Sequence, residues 1–311
     1  MKCNNEAMDE IIQLDSIKAY NELYGLPADH PLVTVVDLRK ASRMQNHVRM
    51  RYGVYALFIK HGIGCNIHYG RQNYDYQKGT VVSFAPGQLV QVDYEGEVLN
   101  KNVSGIIFHP DLIYGTSLAA KMSKYTFFAY SQNEALHMSE RELATLVDLL
   151  HHIQMELNYP TDIHSRELLC TYIELFLDYC LRFCDRQFFT RSKVNSDILQ
   201  RFELLLHDYF ESGMCHQLGL PSVSYFADKV CLSPNYFGDL IKKETGKTAQ
   251  EHIQLMLLAE AKKQLLGTTL GVSQIAERLG FQYTQHFVRM FKKRMGLTPR
   301  DYRVANGEYS A

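Results

Sequence analysis

The last part of the chain contains one short pattern written twice, and this repeat constrains the fold more than any other feature. Residues 223–232 and 272–281 align at a spacing of 49 residues, and the segments that follow, 237–248 and 287–298, align at a spacing of 50. One extra residue in the second turn accounts for the shift. A fixed internal period indicates duplicated structural units. Two copies are too few for a solenoid, so the repeat predicts a small domain with two similar halves.

Each copy predicts two helices joined by a tight turn. Ser233 followed by Pro234 is a typical helix start, because the hydroxyl can cap and proline fits the first helical position. The second helix of each copy has apolar residues at helical spacing. They are Phe237, Leu240 and Ile241 in the first copy and Phe287, Met290 and Phe291 in the second. Gly246 and Gly296 stand where a left-handed helix end is expected.

A longer helix is predicted between the two copies. Thr248 and Glu251 have the spacing of a capping box, which begins a helix that runs to about Leu266 and stops at Gly267. Such a helix is stiff, so it would fix the distance between the two copies.

Four segments of this region resemble the DNA-binding domain of the AraC/XylS family of transcription regulators. They are residues 232–237, 242–246, 275–281 and 291–303. The match is in register and ends in Thr-Pro-x-x-Tyr-Arg, which makes it far more specific than a single helix-turn-helix pattern. The resemblance implies a DNA-binding domain over 197–305, with helix-turn-helix units at 222–246 and 272–296. It implies a sequence-specific transcription regulator whose partner is double-stranded DNA, and no enzyme.

Alignment to the family pattern nominates residues near the start of each second helix for base contacts. They are Asn235, Gly238 and Asp239 in the first unit and Thr284, Gln285, Val288 and Arg289 in the second. Arg289 can pair with guanine, and Asn235 or Gln285 can pair with adenine. Four lysines are expected at phosphates, with a solvated helix face as the alternative. They are Lys242, Lys243, Lys292 and Lys293.

Two helices held by a rigid spacer can enter successive major grooves on one DNA face, about 34 Å apart. A closer separation would require a bent duplex. We expect the first unit to bind DNA more weakly. Gly238 costs its helix about 1 kcal/mol relative to alanine, and the carboxylate of Asp239 repels phosphate.

Charge and cysteine usage support this interpretation. Residues 221–305 hold 13 Lys and Arg against 7 Asp and Glu, whereas the whole chain holds 33 against 34. The seven cysteines show no Cys-x-x-Cys pair and no zinc-site spacing. The sequence has no apolar leader after Met1 and no uncharged run near the 18 residues of a membrane span. We therefore expect a cytoplasmic protein without membrane contact.

The first two-thirds of the chain predict short strands followed by helices. The predicted strands are 32–38, 54–60, 80–85, 88–95 and 103–108. Many short strands with frequent glycine turns favour a small β-barrel or jelly roll. Residues 74–87 resemble the cupin-like sensor domain that precedes many AraC-type DNA-binding domains, and residues 108–112 resemble its exit. The expected fold class is therefore α+β, with a cupin-like barrel over about 20–130 and an all-α tandem helix-turn-helix domain.

Helices are expected over about 139–185, within a sensor domain of 20–185. Two apolar stripes lie on these helices: Leu143, Leu146, Val147, Leu150, Ile153 and Leu157, then Leu169, Tyr172, Ile173, Phe176, Leu177 and Cys180. They resemble the family's dimerisation helices, which predicts a homodimer; the alternative is that both pack on the barrel. Residues 186–196 lose the helical period and are predicted to be a linker. A further helix from Asp197 to about Glu211 is assigned to the DNA-binding side.

The resemblance implies a small-molecule effector, with sugars as one candidate class, bound in the N-terminal domain. Polar aromatic residues near the strands are the candidate pocket: Tyr55, His68, Tyr74 and Tyr94. His61 and His68 lack the His-x-His pattern of metal-binding cupins, so no metal and no cofactor are expected. Two alternatives remain, a partner-protein-binding N-terminal domain and a cupin-type enzyme. RNA polymerase is a further candidate partner.

Overall fold

Strands come first and helices last along the chain, in the α+β order that the sequence predicts. A computed structural model describes residues 11–27, 30–45, 48–61, 79–92, 101–130, 134–190 and 192–307. The chain divides into two units, Met1–Thr190 and Arg191–Ala311. In the described ranges, no helix combines the length and the apolar character that a membrane crossing requires.

The N-terminal unit holds eight strands and five α-helices among its described residues. They are β1 (Ile11–Leu14), α1 (Ile17–Tyr24), β2 (Val33–Asp37), β3 (Val48–Tyr52), β4 (Tyr55–His61), β5 (Gly79–Phe84), β6 (Leu89–Val92), β7 (Val103–Phe108), α2 (Pro110–Ile113), α3 (Ser117–Lys121), β8 (Leu136–Met138), α4 (Glu140–Asn158) and α5 (Ser165–Thr190). Short 3₁₀ turns occur at Leu38–Lys40, Met122–Lys124 and Thr126–Ala129.

The strands form two sheets, one in the order β1-β3-β6 and one in the order β2-β7-β4-β5-β8. Alternate residues of a strand point to opposite faces of its sheet. One face of the five-stranded sheet packs in a core with α1 and the smaller sheet, through residues such as Val36, Phe58 and Ile107. Its other face packs in a second core with α4 and α5, through residues such as Leu57 and Ile106.

Five predicted strands are observed within a few residues of their expected ranges. For the strand expected at 88–95, residues 93–95 lie outside the described residues. The sequence interpretation missed β1, β3 and β8. β1 and the first residues of α1 lie before residue 20, where the sensor domain was expected to begin, and both elements belong to the inter-sheet core. β1 pairs in parallel with β3, with Ile11 opposite Arg49 and Leu14 opposite Tyr52. A four-residue strand carries too little periodicity to be found alone, although β3 alternates buried Met50 and Tyr52 with Arg51.

The helix start at residue 139 is confirmed. The Ser139 hydroxyl accepts from the Glu142 N–H at 3.3 Å, and the Glu142 carboxylate accepts from the Ser139 N–H at 2.9 Å. Asp162 likewise caps α5, since its carboxylate accepts from the backbone N–H groups of His164 and Ser165.

The apolar stripes proposed for dimerisation are largely used within the unit itself. Leu146, Leu150 and Ile153 of α4 are at most 4% exposed and lie in the core on the five-stranded sheet. The central α5 stripe is buried there as well: Leu169, Ile173, Phe176, Leu177 and Cys180. These residues follow the alternative interpretation, because the core of the N-terminal unit covers them.

The prediction that residues 186–196 form a non-helical linker is wrong for most of this segment. α5 continues to Thr190, and the next helix begins at Ser192. Gln187 is 4% exposed and accepts a hydrogen bond from the His137 N–H at 2.8 Å. Phe188 is also buried. The last turn of α5 is therefore held by tertiary contacts that a one-dimensional period does not reveal.

The C-terminal unit contains only helices among its described residues. They are α6 (Ser192–Glu211), α7 (Met214–Leu218), α8 (Val223–Lys229), α9 (Pro234–Thr245), α10 (Ala249–Gly267), α11 (Val272–Arg278), α12 (Thr284–Met295) and α13 (Pro299–Gly307). The predicted helix stops are confirmed, since Gly246 and Gly296 have φ of 75° and 76°. The capping box of Thr248 and Glu251 is also present.

The turns between α8 and α9 and between α11 and α12 have the same hydrogen bond. The Leu232 N–H donates to the Ala227 carbonyl at 3.0 Å, and the Phe281 N–H donates to the Ala276 carbonyl at 2.9 Å. Both turns need a residue with positive φ just after the helix. The second turn uses Gly280 at φ 86°. The first uses Cys231 at φ 59°, the one non-glycine residue with positive φ in the described part of the chain.

We predict that Cys231→Gly stabilises the C-terminal unit. The left-handed conformation costs a residue with a Cβ atom about 1–2 kcal/mol, part of which is offset by the larger entropy of glycine in the unfolded chain. The expected gain in the free energy of unfolding is the difference, about 0.5–1 kcal/mol, and urea denaturation measures it.

Gly280→Ala is the opposing control. A Cβ atom there would lie 2.6 Å from the Gly219 carbonyl carbon, so this variant should lose at least about 1–2 kcal/mol. A less stable Cys231→Gly protein would contradict the equivalence of the two turns.

Candidate nucleic-acid interface

The first helix pair, α8 and α9, is fixed by an aromatic core. Phe202 of α6 lies edge-on to Phe226 and Phe237, with ring centroids 5.3 and 5.2 Å apart. All three side chains are fully buried. α6 therefore forms part of the support of the first helix-turn-helix unit.

The buried stripe of α9 leaves its opposite face available. Tyr236, Phe237, Leu240 and Ile241 are at most 2% exposed. Of the predicted base-contacting residues, Asn235 is exposed, and Gly238 and Asp239 are half-buried. Lys242 and Lys243, predicted at phosphates, are exposed. A Cβ atom added at Gly238 would have no neighbour within 4 Å, so this face has room for a larger side chain.

The second pair presents α12 in the same way. Phe287 and Phe291 are fully buried and lie 5.8 Å apart between ring centroids. The predicted base-contacting set lies away from this core: Gln285 and Arg289 are exposed, and Thr284 and Val288 are half-buried. Lys292 and Lys293 are exposed at the end of the helix. The structure thus places the nominated residues of each unit on one helix.

The two helices differ in charge. α9 contains two lysines, one aspartate and one glutamate, which balance. α12 contains two arginines and two lysines and no acidic residue. Arg294, one of these four, was not nominated from the sequence, although it continues the Lys292-Lys293 run. Its guanidinium donates to the side-chain carbonyl of Gln254 on α10. α12 therefore offers a polyanion a stronger attraction than α9.

α10 supports both pairs. Its buried residues recur every four positions: Ala249, Ile253, Leu257, Ala261 and Leu265. α10 packs against α6 and α9 and also against α11 and α13. The Arg303 guanidinium of α13 also donates to the Leu265 carbonyl at 2.8 Å. The helix between the two copies is therefore the shared support that the sequence predicts.

In the N-terminal unit, the predicted effector residues are only partly within the described ranges. His68, Tyr74 and Tyr94 lie outside them. Tyr55 is half-buried and stacks on Phe108 at 5.1 Å. It packs on the helix-covered core and not on the core between the sheets, because the register of β4 places odd-numbered residues on that face. Among the described residues, no cluster of His, Cys, Asp or Glu has a metal-binding arrangement.

Comparison with known proteins agrees with this architecture. Residues 226–305 match the family model described as "Helix-turn-helix domain". The C-terminal unit therefore belongs to the helix-turn-helix class of DNA-binding domains. Within that class, it is an AraC-type domain, which confirms the resemblance seen in the sequence.

Relatives with similar sequences match about a third of this chain. The uncharacterised transcriptional regulatory protein YesN of Bacillus subtilis (strain 168) is 36% identical over 100 residues, which are 30% of this chain and 27% of that protein. The xylose operon regulatory protein of Escherichia coli (strain K12) is 33% identical over 100 residues, 32% of this chain and 25% of that protein. The matches thus span about a quarter of the length of these relatives.

A solved structure is also similar to part of this chain. The C-terminal domain of AraT, a response regulator from Geobacillus stearothermophilus, is 28% identical, with 37% of this chain and 91% of that chain covered and a TM-score of 0.32.

We predict different effects for two substitutions on α12. Arg289→Ala should weaken binding to the preferred DNA site by about 1–3 kcal/mol and relax the preference at one base pair. Lys292→Gln should weaken binding to all sequences alike and reduce the slope of log K against log salt by about 1. Both are measured by fluorescence-anisotropy titration on matched duplexes.

Arg201→Ala is the control, since Arg201 is exposed on α6 and belongs to neither helix pair. It should leave affinity and preference unchanged. An Arg289→Ala protein with the wild-type order of preferred sites would remove Arg289 from base recognition.

Proposed function

We propose that the protein is a sequence-specific transcription regulator whose DNA binding is controlled by a small molecule held in its N-terminal unit. One observation carries the DNA-binding part: α9 and α12 present exposed polar faces from a single helical support. An α-helix fits the major groove, and two helices on one support can engage neighbouring turns of one duplex.

The unequal charge of the two helices gives them different tasks. α12, with four cations, supplies most of the phosphate attraction. α9, with balanced charge and the open position at Gly238, contributes shape and base contacts with less affinity. A specific site should therefore contain one strongly and one weakly held half.

The two-unit organisation and the names of relatives support the proposal of control by an effector. The xylose operon regulatory protein is named for a sugar pathway, which makes sugars a first class to test. A ligand regulates only if it binds two states of the protein unequally. The second candidate is an N-terminal unit that binds a partner protein, with RNA polymerase as a further contact of the assembled regulator.

The test of this function is site selection from random duplex DNA, with the purified protein alone and with candidate metabolites. We expect a bipartite consensus whose affinity changes with at least one metabolite. The C-terminal unit alone, residues 191–311, should select the same consensus. This fragment includes Asn195, which is buried and donates to Glu244 of α9 at 3.1 Å. A folded fragment that selects nothing would place recognition elsewhere.

We also propose that the protein forms a homodimer through the outer face of α5. Leu168 and Leu175 are 43% and 42% exposed, and half-buried Tyr172 and Tyr179 lie on the same helical face. These four residues are spaced by four, three and four positions, the pattern of a helix–helix contact. The buried apolar stripes of α4 and α5 stay packed in the core of the unit and take no part in this contact.

Leu175→Glu is predicted to convert the dimer to a monomer without loss of fold, because the side chain is already partly in water. Sedimentation velocity measures the mass, and operator affinity should fall by about 100-fold as avidity is lost. Leu218→Glu is the control, at a leucine that is 61% exposed on α7. A Leu175→Glu protein that stays dimeric would move the interface off this face.

A further inference from the structure

Three adjacent strands change from apolar to polar at the same end of the helix-covered sheet face. Along that face, β2 runs Val33, Val35, Asp37; β4 runs Leu57, Ile59, His61; and β7 runs Phe108, Ile106, Ser104. The register places Ser104 opposite Asp37 on one side and opposite Ile59 on the other. The three polar residues are therefore neighbours at one edge of an otherwise apolar core.

A cleft of about 490 Å³ lies at this edge, under the second half of α4. Its apolar wall includes Val35, Val147 and Leu150, and its polar wall includes Ser104 and Gln154. Volumes of about 300–1,000 Å³ are typical of small-molecule sites that combine an apolar lining with a few fixed polar groups. Polar groups at the end of a core need hydrogen-bonding partners, and in an open cleft a polar ligand can supply some of them.

Two pairs of polar groups in the cleft are hydrogen-bonded to each other. Arg39 donates to both carboxylate oxygens of Asp37, at 2.8 and 2.9 Å, and this contact holds the pKa of the Asp37 carboxyl below its usual range. The His61 Nε2 and Ser104 Oγ atoms are 2.7 Å apart. Burial and the nearby Arg39 charge lower the pKa of His61, so its ring is neutral near pH 7 and can both donate and accept.

The permanent charge of the lining is positive. Of its residues, Arg39 and Lys40 are cations and Asp37 is the one carboxylate. Because Asp37 already binds Arg39, the exposed ammonium of Lys40 and the rest of the Arg39 guanidinium remain to meet an anion. His61, Ser104 and Gln154 supply further hydrogen-bonding groups.

We infer that this cleft binds a small hydroxylated organic anion, such as a sugar acid or a sugar phosphate. Arg39 and Lys40 meet the acidic group, the polar wall meets the hydroxyls, and Val147 and Leu150 pack on the carbon skeleton. A purely aliphatic acid would leave Ser104 and Gln154 without partners from the ligand, which weakens binding. The inference rests on the proposed effector control and assigns its ligand class and position, on the helix-covered face and outside the space between the sheets.

Isothermal titration calorimetry of the full chain tests the ligand class with four probes. They are glucuronate, glucose 6-phosphate, glucose and hexanoate. At least one of the first two should bind about tenfold or more tightly than glucose and hexanoate. Glucuronate against glucose 6-phosphate distinguishes a carboxylate from a phosphate ligand. Failure of both anions to bind, or equal binding of glucose, would overturn the inference.

Two substitutions test the position of the site. Val147→Glu introduces a negative charge at a residue of the cleft that is already 37% exposed, so the anion that binds the wild type should no longer bind. Ala144→Glu is its control, because Ala144 is exposed on α4 and does not line the cleft. Lys40→Gln should weaken anion binding about fivefold to tenfold, and Lys124→Gln, at an exposed lysine outside the lining, should not.

Thermal unfolding of each variant separates loss of the site from loss of the fold. Anion binding by Val147→Glu that equals that of the wild type would place the ligand elsewhere.

Operator affinity, measured on the same preparations, separates this inference from the proposed function. If Val147→Glu abolishes anion binding but the anion never changes operator affinity, the site is retained and effector control is rejected. Specific DNA binding with no binding of either anionic probe would reject the site and retain the DNA-binding function.

Discussion

The buried ridge of α10 is the contact on which the DNA-binding unit depends. Ile253, Leu257, Ala261 and Leu265 lie on one side of a single helix, and helices from both repeats pack against it. A small residue at Ala261 permits close packing of a neighbouring helix. Without this ridge, the two repeats would lose the helix against which both of them pack. Its burial therefore stabilises the fold and also sets the relative placement of α9 and α12.

The N-terminal unit depends on the two-sided character of its five-stranded sheet. Alternation within β4 sends Ala56 and Phe58 to the core between the sheets and Leu57 and Ile59 to the core beneath the helices. Both faces are therefore covered, and the helices α4 and α5 have their apolar stripes committed to the sheet. The exception is the edge at Asp37. There the same alternation places polar side chains on the face that is otherwise apolar core.

Much of the C-terminal unit was predictable because its signals are local. Helix caps, glycine stops and apolar spacing act within one or two turns, and the structure has them where the sequence predicts. The N-terminal unit was less accessible because its decisive contacts join distant segments. β1 pairs with β3 across more than thirty residues, and the last turn of α5 is retained by Gln187 against His137. The face on which Tyr55 lies depended on a strand register that the sequence did not fix.

The different charges of α9 and α12 make the two DNA-binding helices unequal. A DNA site bound by such a unit has a direction. Reversing the site exchanges the half that α12 binds strongly for the half that α9 binds weakly. Two copies related by a twofold axis would then place either both α12 helices or both α9 helices nearest the axis. The orientation of the half-sites, and not their spacing alone, would decide how firmly the middle of a promoter is covered.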